Sequence, residues 1–293
     1  MCDIVTVTLN PAIDRYGAID YPGGKGINVS RALKKMGTDS EAVFFAGGDT
    51  GKKLVSLIES EGITCSVVET VAPTRVNIKT PCGEFNASGG PINEEELAKL
   101  IQKIEIKAKS ADKSQLYVIS GSIPQGVEKP VYNFLIKMLK ECGNMTALDT
   151  GGENLHKAIC TGPDIIKPNL AELESLLGTR ISTIAQAVEK CFRLFEDTGI
   201  EVLCTMGGNV SIYAGADGLY TADSLQVEVR STVGAGDTFL AAFIHERMVT
   251  GDVTAALRFA SGAAAAKVTL PGTVMPDLAE MRRYAEKVRV TNA

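Results

Sequence analysis

The sequence predicts an α/β protein with a mainly parallel central sheet covered by helices on both faces. Two observations carry this reading. Short strand-like runs alternate with longer helical runs along almost the whole chain, which calls for right-handed crossovers and parallel pairing. The composition is that of an ordinary globular chain: 293 residues, 45% hydrophobic and 22% charged, with a mean hydropathy of +0.09, enough to bury a sizeable core. No long linker, low-complexity tract or repeat interrupts it, so the chain reads as one domain, 1–293.

The elements follow in order. Ile4–Leu9 alternates as a strand, and Gly26–Met36 is a helix closed by Gly37. Ala42–Ala46 reads as a buried strand, then Lys52–Glu61 as a helix stopped by Gly62. Cys65–Val71 and Val76–Thr80 are short strands joined by a turn at Pro73, and Glu94–Lys107 is a helix with Asn93 at its N-cap. Leu116–Ser120, Pro130–Glu141, Met145–Asp149 and Ile165–Lys167 continue as strand, helix, strand, strand. Helices at Leu170–Leu177 and Ala185–Thr198 precede a strand-rich stretch with glycine turns: Val202–Met206, Val210–Ala214, Gly218–Thr221 and Gln226–Arg230. Ala235–Val249, Val253–Lys267 and Asp277–Val288 close the chain as helices.

Several functions are disfavoured at once. Thirty Lys and Arg against 35 Asp and Glu give a net charge of −5, which argues against nucleic acid as a main partner. No apolar run reaches the length of a membrane helix. The N-terminus alternates like a strand and lacks a positive leader region, so a cytoplasmic chain is expected. The seven cysteines contain no C-x-x-C pair, so zinc and redox motifs are not indicated and the thiols read as buried or incidental. His156 and His245 stand alone and read as structural. Ala46–Lys53 superficially resembles a P-loop, but Ala46 and Lys53 occupy the positions of its first glycine and its magnesium-binding hydroxyl; a tight strand-to-helix turn fits better. Gly234-Ala235-Gly236 lacks the third glycine of a dinucleotide fingerprint.

One constellation carries chemistry. Ser231–Thr238 lies between a strand-like run and an amphipathic helix. Gly234 and Gly236 let the backbone turn sharply, and the N–H groups of Ala235, Gly236 and Asp237 face outward at the positive end of a helix dipole. Asp237, in the same first turn, adds a carboxylate to that anion cradle. A cradle beside a base suits phosphoryl transfer to a hydroxyl, the amides neutralising the phosphoryl oxygens while the carboxylate takes the proton. Taken alone, an Asp there is equally an ordinary first-turn residue.

The G-A-G-D turn resembles the C-terminal signature of the ribokinase-like (PfkB) sugar kinases, and Gly23–Val29 resembles their N-terminal signature. Asn10–Asp14, Ser120–Val127, Leu148–Glu153, Lys167–Glu172 and Thr205–Gly208 match, in order, the branch that holds 1-phosphofructokinase, tagatose-6-phosphate kinase and the minor 6-phosphofructokinase. The resemblance implies a three-layer sandwich and an ATP- and Mg²⁺-dependent kinase. Its acceptor would be a ketohexose phosphate, foremost fructose 1-phosphate at O6, giving fructose 1,6-bisphosphate; tagatose 6-phosphate and fructose 6-phosphate are the alternatives. A catalytically idle sugar-phosphate sensor is a rival of another class, disfavoured by the intact Asp237, and a nucleotide-binding dehydrogenase is disfavoured by the missing fingerprint. By resemblance Asp237 is the base and Gly234, Ala235 and Gly236 form the anion hole. Asp14, Gly24, Asn28 and Asn77 would hold the sugar, and Lys25 and Arg75 its phosphate. Lys167, Asn169, Thr205 and Gly207 would lie on the nucleotide side, with Glu172 reaching magnesium indirectly or through water. Without the resemblance Asp14 is a solvated loop acid, Arg75 a solvated side chain, and Asn169 with Glu172 a surface capping pair.

Two departures stand out. Eight residues, Arg15–Pro22, separate Asp14 from Gly23, where this branch normally carries a small β lid. They are long enough to bridge the gap, but two strands of typical length plus a turn need roughly a dozen residues. The lid is therefore expected to be truncated or missing, reduced to about 15–22 plus 64–92. Tyr16–Tyr21 reads as two joined ends of a longer mobile lid whose residues are absent from this sequence. In the family the lid often carries the dimer contact, which implies a homodimer through it. Asn86–Pro91 also departs from the family's acidic Asn-Glu-Pro-Gly-Pro run.

Overall fold

The computed structural model describes residues 4–80, 83–110, 114–128 and 130–293, and the side chain of Glu84 is left aside. The chain divides into two compact units after Thr146.

The first unit is built on four parallel strands in the order β8-β1-β4-β5. These are β1 (Ile4–Thr8), β4 (Glu41–Gly47), β5 (Thr64–Thr70) and β8 (Leu116–Ser120). Every residue of β1 is buried, as expected of a strand covered on both faces. The helices are α1 (Lys25–Lys35), α2 (Gly48–Ser60), α3 (Glu94–Ser110) and α4 (Val131–Glu141). Leu54 and Ile58 of α2 pack with Ile27 of α1 and with Ala42 and Phe44 of β4 in one core cluster. The P-loop look-alike is the strand-to-helix turn that its sequence favours. A Cβ at Gly47 would stand 2.1 Å from Ala72 O, and the Lys52 side chain is 84% exposed. Asn93 caps α3 as expected: its Oδ1 accepts from Glu96 N at 2.9 Å, and Glu96 Oε2 accepts from Asn93 N at 2.8 Å.

A second, four-stranded sheet belongs to this unit, in the order β3-β2-β6-β7, formed by β2 (Ala12–Tyr16), β3 (Ile19–Gly23), β6 (Arg75–Thr80) and β7 (Gly83–Phe85). It corrects the expectation that residues 15–22 are too short for two strands. The hairpin begins before Asp14 and ends at Gly23, so both motif residues are themselves strand residues. Its turn takes two residues, Gly17 and Ala18, with Gly17 at φ 58° in the glycine-first position that two-residue hairpins favour. β2 then pairs in parallel with β6, with Asp14 opposite Asn77.

In the second unit β9 (Met145–Asp149), β10 (Ile165–Ile166) and β11 (Glu201–Thr205) are parallel. β12 (Val210–Gly215), β13 (Gly218–Asp223) and β14 (Val290–Asn292) extend the sheet antiparallel. Its helices are α5 (Glu153–Ile159), α6 (Leu170–Leu177), α7 (Ile184–Thr198), α8 (Ala235–Thr250), α9 (Val253–Val268) and α10 (Leu278–Ala285). Gln226–Arg230, expected as a strand, is an irregular loop. Its alternation was sound as a pattern, but the free edge of β13 is occupied by β14, with Tyr220 opposite Asn292, so no partner remains for it there. No helix among the described residues is long and apolar enough to cross a membrane.

Candidate active site

The turn expected to bind an anion lies at the start of α8 in the second unit. Gly234 takes the left-handed conformation, φ 77° and ψ 1°, as the N-cap of the 16-residue α8. Thr238 Oγ1 donates to Gly234 O at 2.8 Å, locking the entry to the helix. Asp237 is 6% exposed in the first turn. One expected donor is lost: the Ala235 N–H turns inward to Thr232 O at 3.2 Å. Gly236 and Asp237 carry the next two amides of the first turn of α8. A cation joins them. A Cβ on Gly236 would lie 3.2 Å from Lys167 Nζ, and that ammonium is buried 3.2 Å from Asp149 Oδ2. Lys167 follows β10 and Asp149 ends β9, so the parallel pairing of these strands sets a lysine and its counter-ion beside the helix start. The sequence reading assigned Asp149 no role; its signal was an Asp closing a buried strand.

A cavity of about 290 Å³ opens onto the same turn. Thr205 and Gly207 from the end of β11, Val227 from the irregular loop, Gly236 of α8 and Ala264 of α9 are among its walls. Gly207, at φ 60°, presents its carbonyl to Ser224 Oγ at 3.0 Å, and Gly208 O accepts from Gln226 Nε2 at 3.3 Å. A mainly apolar cavity that reaches the start of a helix at Ala235 and Gly236 fits a nucleoside polyphosphate. Asn169 and Glu172 form a full capping box on α6: Asn169 Oδ1 accepts from Glu172 N at 2.9 Å, and Glu172 Oε2 accepts from Asn169 N at 2.8 Å. Glu172 Oε1 folds over the loop after β9, 2.7 Å from where a Cβ on Gly151 would be. No cluster of three metal-ligating side chains exists among the described residues. One carboxylate already engaged in a cap fits magnesium only through the ion's own water shell.

The residues expected on the sugar side lie in the first unit. Asp14 and Asn77 face each other across β2 and β6, with Asn77 Nδ2 donating to Asp14 Oδ1 at 2.7 Å. Both are buried. Asn77 Oδ1 is buried with no hydrogen-bond partner among the described residues, a position that suits a ligand hydroxyl. Gly23 makes the room: a Cβ there would lie 2.7 Å from Asp14 Cγ. Gly24, at φ 116°, opens α1, which places Lys25 and the buried Asn28 in its first turn. Arg75 is half-buried rather than solvated. Its guanidinium donates to Asn10 O at 2.8 Å, Ala87 O at 2.7 Å and Pro11 O at 3.3 Å. Burial pulls its pKa down, while the charge of Asp14 pulls the other way. Asn10, unassigned in the sequence reading, donates to Ser122 Oγ at 3.0 Å and Ser88 O at 3.2 Å, tying two loops together. Lys79 was also unassigned. It stands two residues beyond Asn77 on the same strand face, buried, with Nζ 2.9 Å from Asn86 Oδ1; the period-two run Arg75, Asn77, Lys79 was its available signal.

The two histidines are structural: His156 Nε2 lies 2.9 Å from Ser175 O, and His245 packs on Phe259 with its pKa lowered by burial. Of the described thiols Cys191 and Cys204 are buried, Cys65 and Cys142 half-buried and Cys160 exposed; Cys2 and Cys82 lie outside the described residues.

The family description "pfkB family carbohydrate kinase" matches residues 19–279. The chain belongs to this family. It is 31% identical over 259 residues to the 1-phosphofructokinase of Bacillus subtilis, across 82% of this chain and 84% of that protein. It is 29% identical over 308 aligned positions to the D-tagatose-1-phosphate kinase of Bacillus licheniformis, across 99% of each. Among solved structures it is similar to phosphofructokinase-2 from Escherichia coli in complex with substrates and products, at 26% identity and a TM-score of 0.90, covering 97% of this chain and 98% of that one. The fold is the ribokinase-like α/β fold. A pfkB-family chain with this anion turn is an enzyme that transfers a phosphoryl group to a carbohydrate.

Proposed function

We propose that the protein is an ATP-dependent sugar-phosphate kinase that phosphorylates O6 of fructose 1-phosphate to give fructose 1,6-bisphosphate. The observation that carries the chemistry is the buried Asp237 in the first turn of α8, beside the Gly236 amide and the Lys167 ammonium. In this reading Asp237 accepts the O6 proton as the O6–phosphorus bond forms and the bond from the γ-phosphorus to the bridging oxygen of ADP breaks. The Gly236 and Asp237 amides and Lys167 stabilise the charge on the transferring group. Thr205, Gly207 and the cavity beside them hold the nucleotide. Magnesium, when bound, neutralises phosphate charge, and Glu172 holds it through water next to the Asn169 cap. In the first unit Asp14, Asn77, Gly24 and Asn28 hold the sugar hydroxyls, and Lys25 and Arg75 its phosphate.

The choice of a 1-phosphate is supported by the names of two relatives, a 1-phosphofructokinase and a D-tagatose-1-phosphate kinase, whose sugars both carry phosphate at C1. Tagatose 1-phosphate is the second reading, on the strength of the latter. A single catalytic domain made of both units, a cytoplasmic location and a homodimer through the four-stranded sheet complete the proposal. ADP release with ATP, Mg²⁺ and a panel of fructose and tagatose 1- and 6-phosphates tests it. Highest kcat/KM on fructose 1-phosphate is expected; preference for a 6-phosphate would overturn the acceptor.

A further inference from the structure

Lys267 is 0% exposed, and no step above uses it. It lies in the last turn of α9, where helix carbonyls favour a cation, and its ammonium donates to Gly272 O at 2.8 Å. Gly272 has φ 54°, a left-handed conformation that turns its carbonyl back toward the helix it has just left. The lysine thus closes residues 267–272 into a ring.

That ring supports the anion turn from two sides. Val268 O, one residue on, accepts from both Arg230 N at 2.8 Å and Ser231 N at 3.2 Å, fixing the strand of chain that enters the turn. Met275, three residues beyond Gly272 and buried, meets the Thr238 hydroxyl through Sδ at 3.7 Å, on the helical side of the turn. The segment 231–238 is therefore held at entry and exit by the segment 267–275. A buried ammonium is an expensive group to keep in a fold where an apolar side chain of similar length would fill the space, and a role in holding the turn accounts for its retention.

We propose that Lys267 is a positioning residue for the phosphoryl-transfer turn: its ammonium fixes the loop on which the Gly236 and Asp237 amides are aimed. The kinetic part of the proposal rests on the kinase reading above; the structural part does not.

The test compares wild type with Lys267→Met, which keeps the chain length and removes the charge. In a folded Lys267→Met protein, kcat is expected to fall at least tenfold with the KM for sugar phosphate unchanged. Amide hydrogen exchange in 231–238 should rise at least tenfold, while α7 and β11–β13 keep their protection. Unchanged kcat and local exchange, or exchange rising equally across the whole unit, would overturn it. If Lys267→Met does not fold, Gly272→Ala, which redirects the acceptor carbonyl and leaves the lysine, is expected to give the same local exchange increase; unchanged exchange in that variant overturns the proposal. A wild-type enzyme inactive on every sugar phosphate defeats the kinase reading, and the exchange measurement still decides the role of Lys267.

Discussion

The turn at 234–237 and the four-stranded sheet of the first unit both carry reactive polar groups, but they are placed by different physics. The turn is local. Gly234 at φ 77° and the start of a long helix suffice to aim amides and place Asp237. The sheet is assembled from afar: Asp14 meets Asn77 across a parallel pairing of strands that lie 63 residues apart. A local device tolerates change elsewhere in the chain, whereas a paired device depends on register, because a one-residue slip would turn Asp14 to the opposite face. On the proposed reading the turn carries the chemistry and the sheet the binding, and substitutions in each should separate accordingly.

The largest effect is expected at the turn. Asp237→Asn keeps the size of the side chain but removes the proton acceptor, so kcat should fall by about 10²–10⁴, with nucleotide affinity retained. Steady-state kinetics and nucleotide titration check this, and a near-normal kcat would take Asp237 out of the reaction.

On the sheet side, Lys25→Ala and Arg75→Ala are expected to raise the KM for sugar phosphate while leaving kcat within a few-fold. They should differ in stability. Arg75 donates to the carbonyls of Asn10, Ala87 and Pro11 in part-buried hydrogen bonds, and losing such a donor costs about 1 kcal/mol or more; Lys25, half-buried at a helix start, should cost less. Paired thermal melts and KM values read this. Equal melting of the two variants would break the view of Arg75 as a loop staple as well as a cation.

This contrast also explains what was legible. Strands and helices with clean periodicity were read almost to the residue, as at Leu116–Ser120, Met145–Asp149 and Leu170–Leu177. The G-A-G-D turn was legible because its determinants are contiguous. The β2–β3 hairpin was not, since Asp14 and Gly23 were read as motif residues outside any strand, and counting only the residues between them left too few for two strands. Gln226–Arg230 was misread for the reason that hid β14: which segment takes an edge is decided by tertiary competition, not by alternation. Lys267 was invisible as a functional candidate because a charge inside an apolar run gives no sign of what it will touch, and Asp149 offered only its place at the end of a buried strand.

Asn169 and Glu172 offer a smaller, sharper test within the second unit. Asn169→Ala removes the cap acceptor and should cost about 1 kcal/mol, read as a modest drop in melting temperature. Glu172→Gln keeps an oxygen for the Asn169 N–H and so keeps the box, but it removes the charge proposed to hold hydrated magnesium. The Mg²⁺ concentration for half-maximal rate should rise in Glu172→Gln at little cost in stability. An unchanged magnesium dependence would leave the pair as a cap alone.

The smallest expected effect concerns pH and the hairpin. Asp20 Oδ1 accepts from Arg15 Nε at 2.7 Å and Oδ2 from Arg15 Nη2 at 2.9 Å, with Lys53 Nζ of α2 also on Oδ2 at 2.5 Å. The Arg15 hydrogen bonds lead in lowering the Asp20 pKa, to about 2 against an ordinary 3.8. Because the folded value is the lower one, the ionised carboxylate stabilises the fold fully above pH 3.8, and that contribution is lost as the pH falls from there toward 2. Arg15 is partly exposed, so screening keeps the effect modest. Asp20→Asn should therefore lower stability slightly at neutral pH and flatten its decline between pH 4 and 2, measured by denaturant melts across that range. That acid response belongs to the hairpin of the four-stranded sheet. If Asp20→Asn leaves the acid profile unchanged, the hairpin is held to α2 by packing, and the sheet resembles the turn more closely than its long-range pairing implies.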